Sequence, residues 1–198
     1  MSFFNKGGPV MWPLLACSLI ATTVILERLF FCLREQAKSR RHAERAEHAI
    51  EALAAGRVDE AETLARAAHS REGRLVLVGI THLGAVMRDA LETHASGELD
   101  NLRRGLPILD TIVTLAPMLG ILGTVTGIIG SFNMLSSDGI GNPAGVASGI
   151  AEALITTAAG LVVSMIALIP FNALASHVRR VARRLEQVAH AIEVASKT

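Results

Sequence analysis

The chain has 198 residues, 51 % of them hydrophobic, with a formal net charge of +1 and a mean hydropathy of +0.42. Apolar content at this level, gathered into blocks, marks a polytopic membrane protein of one or two domains. A charge so near zero argues against nucleic acid as a partner. Seven scattered histidines, with no HExxH and no Cys/His pair at zinc spacing, argue against a metal centre.

Taken in order, residues 1–9 form a short N-terminal segment and 10–33 a first span, an apolar run beyond Lys6 that continues past Glu27-Arg28 into LFFCL. Trp12 near its start and Arg28 and Arg34 near its end are interfacial anchors. A signal peptide with Lys6 in its n-region competes with this reading. The long run, the lack of a small-x-small site before a mature start, and the charged helix that follows favour a retained span. Cys17 and Cys32 fall in this segment 15 residues apart. That is about 22 Å on one helix, beyond disulfide reach, so both read as lipid-facing or packing residues.

Residues 34–106 are charged and alanine-rich. Ile50, Leu53 and Ala54, then Val58, Ala61, Leu64 and Ala65, recur at helical spacing, with Gly56 marking a turn between them. GRVDEAETLARAA reads as one helix of a small antiparallel pair. A further helix is expected from about Arg74 to Arg104, running on into the second span. The segment is either a solvated spacer or a docking platform for a cytoplasmic partner.

Two long apolar segments follow, at 107–136 and 143–176. No charged residue occurs from Thr111 to Ser137 or from Ala153 to Ser176, so each exceeds the roughly 20 residues that cross a bilayer as a helix. The link 137–142 carries Gly139, Gly141 and Asn142, and Asn142-Pro143 supplies an N-cap and an N1 proline for the third span. Residues 177–198 continue as the amphipathic VRRVARRLEQVAHAIEV. Twelve Lys/Arg lie between Arg34 and Arg104 and five after Ser176, leaving Lys6 and Arg28 of the nineteen. By the positive-inside rule the middle region and tail face the cytoplasm, with the N-terminus and link outside. The fold class is therefore an all-α integral membrane protein, with three transmembrane helices and long cytoplasmic helical extensions.

In the second span Gly120, Gly123, Gly127 and Gly130 fall within an arc of roughly 80° at about 100° per residue, a strip suited to close helix packing. Thr124 and Ser131 lie at its edge, where back-bonding to the i−4 carbonyl is the usual role of such hydroxyls. Pro117 and Pro170 sit in mid-span, where membrane helices tolerate them as kinks. Glu152 is the exceptional residue. It would lie roughly 13 Å into a helix starting at Pro143. It either snorkels to the outer interface or faces a protein interior, where desolvation would favour its neutral form.

LAPMLGILGTVTGIIGSF, followed after a short link by GIAEALITTAAGLVVSMIALIP, resembles the paired signature of the MotA/TolQ/ExbB proton channel family. Three spans, the acid within GIAEAL, the GGPVMWPLL opening and the Glu27-Arg28 pair are similar to its ExbB and TolQ members. The strong part covers residues 105–176. This resemblance implies an ion-conducting stator without covalent chemistry or cofactor, set in the bacterial inner membrane. It further implies a homo-pentameric ring around single-span ExbD- or TolR-like subunits, coupled to an envelope-spanning protein of the TonB or TolA kind. By motif position the family's pore-lining acid falls on Glu152, its second-span threonine on Thr124 and its third-span threonine on Thr157. Helix geometry complicates the last assignment. Thr156 stands roughly 40° from Glu152 and Thr157 roughly 140°, so Thr156 shares the acid's face and is kept as a second candidate.

The competing function is a non-conducting membrane scaffold in which Glu152 only pairs with a partner's charge. An enzyme is disfavoured, for the sequence offers no nucleophile–base pair, metal set or phosphate loop. Threonine and carboxylate oxygens suit either protons or sodium, and the cargo is not encoded in any motif.

Overall fold

The computed structural model describes residues 7–84, 86–138 and 143–196, and the regular structure among them is helical. In chain order the helices are α1 Met11–Ala54, α2 Val58–Ala68, α3 Arg71–Thr81, α4 Met87–Arg103, α5 Leu106–Asp138 and α6 Pro143–Ala195. The chain divides into two units, Met1–Arg28 with Gly105–Ala173, and Leu29–Arg104 with Leu174–Thr198. The long helices α1 and α6 contribute to both. The end of the first span is therefore not the end of a helix.

The first unit contains the apolar stretches. Among the described residues, three helical segments are long and apolar enough to cross a membrane: Met11–Arg34, Leu106–Met134 and Gly145–Ala195. Helix α1 buries Met11, Leu14, Cys17, Ala21 and Val24, spaced three or four apart, a single stripe facing the other helices. Its remaining surface is also apolar, with Trp12, Leu19, Ile20 and Leu26 exposed. Helices α5 and α6 repeat the pattern. Leu109, Ile112 and Ala116 of α5 and Ala153 and Ala167 of α6 are buried, while Met118, Ile121, Leu154 and Ile169 are exposed. In water such surfaces would drive aggregation; against lipid or further copies they are satisfied. Arg28 is buried beside Glu27 and lies against Gly105, where an added methyl would come within 2.9 Å of Val24 Cγ1 and 3.5 Å of Arg28 Nε.

The second unit has an alanine-rich core. Ala49, Leu53, Ala61, Ala65, Leu75, Val76, Leu91, Leu185 and Ile192 pack together, the alanines letting the helical segments approach and the larger side chains filling the space between them. Ser70 caps α3, its hydroxyl accepting the Gly73 N–H at 3.0 Å. Ion pairs decorate the surface: Arg184 reaches Glu72 at 3.0 Å and Glu47 at 3.5 Å, and Arg74 reaches Glu98 at 2.7 Å.

Two sequence expectations for the middle region are corrected. The helix expected from Arg74 to Arg104 is split between α3 and α4, because α3 ends at His82, whose N–H bonds back to Val78 O, and Gly84 takes φ +119°. Nor does α4 run into the second span. Gly105, at φ +83°, breaks the helix between Arg103 and Leu106. Helix α6 begins at Pro143, whereas the link residues Gly139 and Gly141 and the N-cap expected at Asn142 lie outside the described residues.

Candidate functional site

Helices α5 and α6 pack through the glycine strip. A methyl built at Gly120 would stand 3.1 Å from Thr157 Cα and 3.3 Å from Thr156 O. At Gly123 it would lie 2.8 Å from Thr156 Cβ, and at Gly127 2.9 Å from Ala153 Cβ and 3.0 Å from Gly149 O. Carbon atoms normally approach to about 3.5–4.0 Å, so a side chain at Gly123 or Gly127 would force a shift at α6, and one at Gly120 would crowd it. Gly130 is different, since a methyl there would meet nothing within 4 Å. Within this chain Gly120, Gly123 and Gly127 therefore lie close against α6, whereas Gly130 faces open space. Hydroxyls reinforce the seam: Ser164 donates to Val113 O at 2.7 Å, and Ser131 lies within reach of Gly127 O and Val146 O.

The hydroxyls beside this seam form two groups. Thr124 and Thr157 are hydrogen-bonded to each other across the helices. Both also address one carbonyl, Gly120 O, from 3.2 Å and 3.0 Å. Two hydroxyl protons thus serve three oxygens. Either threonine can donate to the carbonyl while the other donates to its neighbour, and these roles can exchange with little movement.

Thr156 is 1 % exposed and belongs to the second group. Its hydroxyl lies 2.9 Å from the Glu152 carbonyl, one turn back, and 2.7 Å from the Gly7 carbonyl ahead of α1. Glu152 is half-buried, with its carboxylate against Gly8. The Thr156 hydroxyl thus addresses the acid's own carbonyl and Gly7 while its carbon atoms pack on Gly123 of α5, and the Thr157 hydroxyl meets Thr124 and Gly120 O of α5. The backbone of Gly7 and Gly8 was not foreseen among the site residues. A Gly-Gly-Pro string before an apolar run is a turn signal, but nothing in it indicates which residue the turn would touch.

Chemically, the site offers one carboxylic acid and three hydroxyls in apolar surroundings. Glu152 is the sole Asp, Glu, Lys or Arg between Asp138 and Arg179. Among the described residues, no three His, Cys, Asp or Glu side chains gather as a metal set. A carboxylic acid with neighbouring hydroxyls is a set of oxygen groups able to handle protons or cations.

Comparison with known proteins agrees with this chemistry. Residues 67–187 match the MotA/TolQ/ExbB proton channel family. The chain is 41 % identical over 179 residues to biopolymer transport protein ExbB-like 1 of Synechocystis sp., covering 87 % of this chain and 69 % of that protein. ExbB-like 3 of the same organism is 34 % identical over 174 residues, 84 % of this chain and 80 % of its own length. The Tol-Pal system protein TolQ of Pseudomonas aeruginosa is 42 % identical over 83 residues, 42 % of this chain and 36 % of its own. With a family match across more than half its length and relatives that align almost throughout, the chain belongs to the MotA/TolQ/ExbB proton channel family as an ExbB/TolQ-like member.

Proposed function

We propose that this chain is the ion-conducting subunit of an inner-membrane motor that couples the proton motive force to energised transport or envelope work. Its partner is a single-span ExbD/TolR-like subunit, around which copies of the chain form a homo-pentameric ring, and the output passes to an envelope-spanning protein of the TonB or TolA type. The observation that carries the reading is Glu152, a lone acid half-buried in an apolar helix beside buried hydroxyls. An ionisable group so placed is costly and by default marks an ion path.

In this mechanism Glu152 takes up a proton on the outward side, crosses the apolar part of the cycle as a neutral acid, and releases the proton inward. Thr124 and Thr157 supply hydroxyls whose donor and acceptor roles can reverse, and Thr156 holds the acid's own turn of helix. Charge on Glu152 changes its attraction to the partner's helix, which is how flux becomes movement. The exposed apolar faces of the spans and the open side of Gly130 support contacts with lipid and neighbouring copies. The N-terminus is outside and the C-terminus inside, supported by the distribution of basic residues.

The test is Glu152→Gln, reconstituted with the co-purified partner in liposomes. Gln keeps the shape and hydrogen-bonding capacity of the neutral acid but cannot exchange a proton, so partner binding should persist while flux disappears. Normal flux through this variant would sink the reading. Flux that depends on sodium at fixed pH would replace the proton with that ion. If neither wild type nor variant conducts and the partner still binds, the chain is a scaffold.

A further inference from the structure

We infer that the Gly7-Gly8 turn ahead of α1 is a positioning element for Glu152, seating the carboxylate against bare backbone and tying that backbone to α6 through Thr156. The inference rests on the proposed role of Glu152 and adds to it a second element, from the other end of the sequence, that fixes where the acid sits. Gly8 adopts φ +69°, a conformation open to glycine and strained for most other residues. Its backbone lies so close to Glu152 that an added Cβ would collide with Oε1 and stand 3.0 Å from Cδ. The neighbouring Gly7 carbonyl accepts a hydrogen bond of 2.7 Å from Thr156, the buried hydroxyl one turn beyond the acid. Immediately after the turn α1 starts, with Met11 N–H donating to Gly8 O and Trp12 N–H to Pro9 O. Pro9 fixes φ at the exit. A methyl at Gly7 would in turn lie 2.8 Å from Met11 Sδ. The turn is therefore held at both ends, by α1 on one side and by Thr156 on the other.

A turn that only began α1 would need glycine for its dihedral angle alone. Here the missing side chain also makes room for the carboxylate. The atom a new Cβ would strike is the far end of a flexible side chain, which yields more readily than backbone. Substitution at Gly8 should thus displace the acid from its seat while leaving the helices packed.

The experiment uses the full chain with its co-purified partner in liposomes and compares Gly8→Ala with Gly56→Ala. Gly56 has nearly the same φ, +72°, but open space around it, so it reports left-handed strain without a collision. Gly8→Ala should retain ring size and partner and lose at least fivefold in flux relative to Gly56→Ala. In a Glu152→Asp background the same substitution should cost less than twofold, because the shorter side chain withdraws from the new methyl. Flux within twofold of Gly56→Ala, or an equal loss in both backgrounds, would overturn the inference. Should Gly8→Ala fail to assemble, Gly8→Asn carries the same Cβ on a residue that tolerates positive φ and must show the same loss. The rate at which a carbodiimide labels Glu152 provides a readout separate from conduction. It should change at least threefold in Gly8→Ala, and an unchanged rate counts against the turn. Normal flux through Glu152→Gln would instead defeat the ion-path role and leave the labelling comparison to decide the turn.

Discussion

The seam between α5 and α6 makes a quantitative prediction at Gly123. Replacing it by alanine places a methyl 2.8 Å from Thr156 Cβ, where carbons prefer about 3.5–4.0 Å. Thr156 has little room to retreat, being 1 % exposed and hydrogen-bonded to Gly7 O. The helices must then separate by roughly 1 Å or strain a rotamer, an overpacking that typically costs about 1–3 kcal/mol. Gly130→Ala is the matched control, since its methyl meets nothing within 4 Å and any gain in helix propensity is common to both. Reversible unfolding in mixed micelles should find Gly123→Ala less stable than Gly130→Ala by about 1–3 kcal/mol, roughly fivefold to more than a hundredfold in the equilibrium constant. Equal stabilities would show that the glycine strip does not hold the hairpin together. Because Gly123 faces α6 of its own chain, any effect of Gly123→Leu on assembly of the proposed ring should follow from this loss and track it across substitutions.

Elsewhere, Leu91→Ala in the second unit removes a side chain that is 0 % exposed and should cost about 2–5 kcal/mol in thermal or chemical unfolding. Arg184→Ala in the same unit breaks pairs to Glu47 and Glu72, but its side chain is 48 % exposed, so the loss should stay within about 1 kcal/mol. A cysteine-free background should take up an impermeant thiol reagent from outside at a Cys introduced at link position Gly139 and not at Gly56; labelling at Gly56 alone would reverse the proposed orientation.

What the sequence made legible follows from which signals are local. Charge-free runs and Gly-Pro punctuation reported the spans because length and composition alone satisfy a bilayer. The 3.6-residue repeat reported which of Ala61, Leu64 and Ala65 share a face. The breaks at Gly84 and Gly105 escaped, since glycines in a charged helical stretch do not reveal whether they bend left-handed or stay in the helix. In the site, motif spacing selected Glu152, Thr124 and Thr157, and the helical wheel separated Thr156 from Thr157. Neither could find the partner of Thr156. Gly7 O lies 149 residues away in sequence, and a backbone carbonyl leaves no side-chain signature in a motif.

That long-range bond also distinguishes the threonines physically. Thr156 has one hydroxyl proton and two carbonyls within reach, Gly7 O and Glu152 O. Both are acceptors only, so moving the proton from one to the other transfers nothing between residues. Thr124 and Thr157 differ in kind. Each hydroxyl can accept a hydrogen bond as it donates one, and the shared Gly120 carbonyl accepts from whichever hydroxyl is not donating to the other. A relay needs groups of the second sort. A fixed acid needs a group of the first. On α6 the two kinds occupy adjacent residues, so a single helical turn carries both the Thr156 bond to Gly7, on which the proposed positioning of Glu152 rests, and the Thr157 hydroxyl bonded to α5.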